Sequence, residues 1–206
     1  LVDPCTGYFS YYIALIGGFN YISREIGELR PYRSYYAFDD RNTHEENLAI
    51  YMEDLEKLTS REGSWTLTIL AASGALEPAY PTMFHFSAGG AKGDECFEGD
   101  NLTVRDMVAY RAFYENLSEE LKTNFDMASD HQRYHSVTSS KMFARKFNEG
   151  LGCKNNIVLR VAWSACLWDS RRIAIAQTIS DALSRHFDSE TPKAYLEELK
   201  IKKCGY

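Results

Sequence analysis

The chain has 206 residues, of which 45% are hydrophobic and 25% charged. A single domain of this length buries roughly 70% of its unfolded surface, enough to fold without a metal or a disulfide. The composition excludes a disordered chain, a collagen-like repeat and a coiled-coil rod. With 23 basic against 29 acidic residues the net charge is −6, and nucleic-acid binding rests on Lys and Arg that neutralise phosphates. The densest basic cluster, Arg24, Arg30, Arg33 and Arg41, is interleaved with Glu25, Glu28, Asp39 and Asp40. Nucleic acid is therefore not expected as a partner.

Asp3-Pro4 is a helix start, because Asp caps the first turn and Pro fits it. The spacing of Phe9, Tyr12, Ile13, Ile16, Phe19 and Ile26 predicts a helix to about Leu29, halted before Pro31. It is apolar on most sides, as in a central or interface helix. The apolar stretch from Tyr8 to Ile22 contains Ser10, Gly17, Gly18 and Asn20 and is too short for a bilayer, which needs about 20 apolar residues. A loop dense in aromatics follows, with Arg30, Tyr32, Arg33, Tyr35, Tyr36 and Phe38. Tyr and Arg are enriched at protein interfaces, since they bury large area and still satisfy a polar tip. These six residues are the candidate binding surface.

Thr43 and Glu46 match a capping box, and Leu48, Tyr51, Met52, Leu55 and Leu58 recur at helical spacing to about Ser60. Trp65 to Leu76 fits both periods. Trp65, Leu67, Ile69 and Ala71 alternate as in a strand, while Trp65, Ile69, Ala72 and Leu76 fit a helix. Its helical neighbours favour helix. Residues 77–101 hold Pro78, Pro81, Gly89, Gly90, Gly93 and Gly99 and read as one long loop. Helices resume at Thr103, again at the capping signature of Ser118, and at Ser139 to Glu149. Asn155 to Phe187 reads as one helix of roughly 50 Å, the axis of the core, and Ser189 opens a last short helix. The expected architecture is a single all-α domain over residues 1–206, an irregular bundle of about six to eight helices around the long C-terminal one.

His131 and His135 stand four apart, which on a helix presents two metal ligands from one face. No Glu follows His131, so the metalloprotease pattern fails. No histidine has a Glu three residues before it, so the di-iron bundle pattern fails too. Asp94, Glu95, Glu98 and Asp100 lie in the Gly-rich loop without an EF-hand spacing. No phosphate-loop glycine pattern and no nucleophile elbow occurs, and no cofactor is indicated. Asp169 and Arg172, at i and i+3, are placed to pair within the C-terminal helix.

Five cysteines occur, none as CxxC, so a zinc knuckle or thioredoxin-type pair is excluded. Cys5 and Cys204 lie near the two ends, which are often close in a domain, and are the candidate bridge; the alternative is five buried thiols that act as small hydrophobes. The two sequons, at Asn101 and Asn116, are about what chance supplies. A start at Leu1 rather than Met fits either a removed leader or a trimmed chain, and tilts the expectation slightly towards an extracytosolic protein.

The reading that follows is a non-catalytic structural or assembly subunit, acting on other protein chains through aromatic-rich contacts. The competing one is a helical enzyme or carrier with a small-molecule or metal site inside the bundle, at His131 and His135 or around Asp169.

Overall fold

In the computed structural model the centre of the molecule is a β-sheet, which overturns the all-α expectation. The structure describes residues 6–22, 53–59, 63–72, 83–89, 102–131, 155–162, 165 and 169–187. The helices are α1 (Thr6–Gly17), α2 (residues 53–58), α3 (Met107–Phe125) and α4 (Asp169–His186). The strands are β1 (Trp65–Ala72), β2 (Phe84–Ser87), β3 (Ser129–His131) and β4 (Asn155–Ala162). Their order across the sheet is β1-β4-β2-β3. β4 runs parallel to β1 and antiparallel to β2, and β2 runs parallel to β3.

Three expectations fail at these strands. Trp65–Ala72 takes its alternating reading, because β4 supplies eight register partners from Asn155 to Ala162. The supposed C-terminal helix is two elements, strand β4 and then α4. All but one residue of β4 is buried, on both faces, and such a strand reads as an unbroken apolar run that periodicity does not separate from a buried helix. The long Pro/Gly loop contains β2, whose four residues are all buried.

Three helices cover one face of the sheet. α1 packs on β1, α3 packs on β3, and α4 packs against both helices. Phe84 and Phe86 of β2 and Ile157, Leu159 and Val161 of β4 enter the core with Phe9, Ile13, Phe113, Leu117, Ile175 and Ile179 from the helices. Trp65, Leu67 and Ile69 of β1 pack against its margin, where the Trp65 ring stacks 4.0 Å from Phe187.

Helix boundaries follow local chemistry. α1 stops twelve residues short of Leu29. Gly18 takes a left-handed φ of 66°, and the Phe19 amide donates to the Ala14 carbonyl at 2.9 Å, the closing bond of a Schellman turn. A side chain on Gly17 would overlap the Phe19 ring and the Ser180 hydroxyl, so α1 and α4 approach through a glycine. α3 starts at Met107 rather than Thr103. Asp106 caps it by accepting from the Ala109 amide at 3.0 Å, and the helix passes through Ser118 without a break. Its buried residues Tyr110, Phe113, Leu117 and Leu121 form the i, i+3, i+7 stripe of an amphipathic helix. Asp126, left-handed at φ 53°, ends it with amide bonds to the Leu121 and Lys122 carbonyls.

The Asn155 side chain ties α3 to the sheet. Its Oδ1 accepts from the Arg105 and Asp106 amides at 3.0 and 3.1 Å. Next to it, Thr103 donates its hydroxyl to the Asn156 carbonyl at 2.8 Å, and its own carbonyl accepts from the Asn156 amide at 2.7 Å.

Candidate functional site

The expected interface residues Arg30, Tyr32, Arg33, Tyr35, Tyr36 and Phe38 lie outside the described residues, as do His135 and the acidic stretch 94–100. No disulfide is found among the described residues, and Cys5 and Cys204 also lie outside them. His131 ends β3 rather than standing on a helix. Its side chain turns to the helix-covered face, buried between the rings of Tyr110 and Tyr114, each 5.5 Å away edge-on. Among the described residues no three His, Cys, Asp or Glu side chains converge as a metal site would require. The side chain of Asp169, the expected partner of Arg172 within α4, lies outside the described residues, and Arg172 also reaches α1, where the guanidinium lies 5.8 Å from the Tyr8 ring centre and 5.6 Å from that of Tyr12.

That contact belongs to a tyrosine surface. Tyr8 is 65% exposed and Tyr11 44%. Tyr11 touches Tyr12 and Tyr21 with ring centres 6.1 and 5.7 Å apart. Tyr21 donates its hydroxyl to the Gly7 carbonyl at 3.1 Å, which folds the chain after α1 back along the helix. The rings stand in fixed contact and carry a cation, while Phe9 and Ile13 on the opposite side of α1 fill the core. The sequence carried the signal, four tyrosines within residues 8–21, and the helix reads there as either central or in an interface.

The second candidate is the sheet face turned away from the helices. Phe84, Phe86, Leu159 and Val161 point into the helix-side core, so strand alternation places His85, Ser87, Asn156, Val158 and Arg160 on the far side. Thr66 and Thr68 of β1 share it, and Asn156 Nδ2 donates to their hydroxyls at 2.8 and 3.2 Å. Asn156 is fully buried and His85 is 3% exposed. The register sets Arg160 beside His85, and His85 beside Asp130 of β3. Burial draws the Arg160 guanidinium below its ordinary pKa, and desolvation is the sole cause. Its Nε is buried without a hydrogen-bond partner, as is Asn156 Oδ1. Neither His85 nor Arg160 was singled out from the sequence. The clue was a lone Arg inside the apolar run Ile157-Val158-Leu159-Arg160-Val161.

A groove of about 540 Å³ between the last turns of α3 and α4 is lined by Asn116, Glu120, Arg185 and His186 among others. Arg185 and Glu120 form an ion pair across it, so its central charges neutralise each other. Asn116 Nδ2 lies 3.1 Å from His186 Nε2. Burial, and secondarily Arg185, lowers the His186 pKa, opposed by Glu120.

No family model matches the chain, and neither a curated protein nor a solved structure matches it. Among the described residues no helix is long and apolar enough to cross a membrane.

Proposed function

We propose that this chain works by binding another protein chain through the tyrosine surface of α1 and the adjoining turn of α4. The observation that carries the reading is the exposure of Tyr8 and Tyr11, with the Arg172 guanidinium over the rings of Tyr8 and Tyr12. Large aromatic rings and arginine dominate binding energy at interfaces, because each buries much area while keeping a polar tip. Rings already held by their neighbours lose little rotamer freedom on association, which favours affinity. Arg30, Tyr32, Arg33, Tyr35, Tyr36 and Phe38 follow α1 in the sequence with the same chemistry and form part of the same proposal.

Native mass spectrometry of the full chain from its source tests this reading. A multiple of the chain mass, or a co-purifying chain, is expected. Replacing both Tyr8 and Tyr11 by Ala then returns the mass to that of a single chain. Both rings face solvent, so the far-ultraviolet dichroism of the variant stays that of the parent. A parent chain that is alone at every concentration, or a variant that still associates, counts against the reading.

A further inference from the structure

We infer that the far face of the sheet holds a small-molecule site for a monocarboxylate, with the Arg160 guanidinium as its binding group. A guanidinium taken from water needs an anion or hydrogen-bond acceptors around it, since burying a charge without them costs several kcal/mol. Arg160 is partly buried on β4, an interior strand of the sheet, and its buried Nε–H has no acceptor. His85, its partner across β2 and β4, brings a second nitrogen-bearing ring to the same place, with Cβ atoms about 5 Å apart as in any directly opposed pair. Thr68 and Ser87 flank the pair, in register with Val158 one step along β4.

The charge and shape of the group select the ligand. A guanidinium offers Nε–H and Nη–H as a planar fork that matches the two oxygens of one carboxylate. One fixed positive charge balances one negative charge. Asp130, next along the row beyond His85, disfavours a second negative charge, so a phosphate dianion fits less well. This site lies on the opposite side of the sheet from α1 and does not depend on the protein-binding surface.

The full chain is titrated with sodium acetate, and separately with inorganic phosphate, at constant ionic strength. The readout is the ¹⁵Nε–¹H signal of the arginines. One arginine signal is expected to shift saturably with acetate, and to disappear from the spectrum of Arg160→Met. The melting temperature of the variant without ligand is expected to equal or exceed that of the parent, because an unpaired charge has been removed. Acetate raises the melting temperature of the parent and leaves that of the variant unchanged. Arg160→Lys, which keeps the charge and loses the fork, binds acetate about tenfold more weakly. Saturation by phosphate alone overturns the carboxylate assignment. The absence of any saturable shift in the parent, or its persistence in Arg160→Met, overturns the site. A variant that no longer folds would make Arg160 a structural group, and that result also counts against the proposal.

Discussion

The two central strands, β2 and β4, are buried on both faces of the sheet, yet the side chains they send to the two faces differ in chemistry. Towards the helices, Phe84, Phe86, Ile157, Leu159 and Val161 meet apolar side chains and carry no polar atom. On the other side the same strands present His85, Ser87, Asn156 and Arg160, with two buried polar atoms unpaired. Hydrophobic burial accounts for the first face by area alone. The second face costs stability wherever a donor or acceptor is left without a partner. A fold keeps such a face only when another role offsets that cost, as functional sites commonly do. The contrast is one of degree, since Ser129 and His131 of β3 and Tyr110 of α3 bring buried polar atoms to the helix side as well.

Mutations should therefore behave differently on the two faces. The largest loss is expected from Phe86→Ala. Phe86 is fully buried and meets the Phe113 and Tyr114 rings edge-on, at 6.1 and 5.5 Å, so truncation leaves a cavity and costs about 3–5 kcal/mol. Urea unfolding followed by dichroism reads this directly, and a loss below about 1 kcal/mol would mean that the helix-side core is not packed as described. Asn156→Ala on the far face is expected to cost less, about 1–3 kcal/mol, by removing the buried donor to the Thr66 and Thr68 hydroxyls. A larger loss at Asn156 than at Phe86 would reverse the comparison. Away from both faces, Asp106→Ala removes the cap of α3 and is expected to cost about 1 kcal/mol.

Much of the helix-side layer was legible in the sequence. The 3.6-residue spacing marked α2, the body of α3 and the amphipathic part of α4, each of which exposes one face. The sheet was not legible, and the reason is physical. β4 is covered on both sides, so its side chains lose the in/out alternation that marks a strand. β2 is four residues long and sits among turn-forming Pro and Gly. β3 is three residues long, too short for any period. Only β1 carried alternation, and it was outvoted by its helical neighbours. The polar far face went with the sheet, since His85, Asp130 and Arg160 are neighbours only through strand register. The aromatic chemistry was legible as composition; its place on α1 depended on where that helix ends.

The smallest expected effect tests how a titratable group at the edge of the helix layer differs from the buried Arg160. Burial lowers both groups, but an arginine starts so high that it stays charged at every ordinary pH. His186 starts at 6.5 and so titrates within reach. Its folded value lies below that of the unfolded chain, so between the two values the unfolded chain binds the extra proton. Stability then rises with pH across that window. The contribution of His186 is complete above pH 6.5 and fades as the pH falls through the lowered folded value. Burial is the larger cause and Arg185 the smaller, while Glu120 acts against both. Arg185→Gln should raise the His186 midpoint only in part, whereas His186→Gln should flatten the urea midpoint against pH below about 6.5. Proton NMR of the His186 ring reads the first and chemical unfolding the second. A His186 midpoint above 6.5 would show that the Glu120 attraction outweighs burial, and that the groove between α3 and α4 is wetter than its geometry implies.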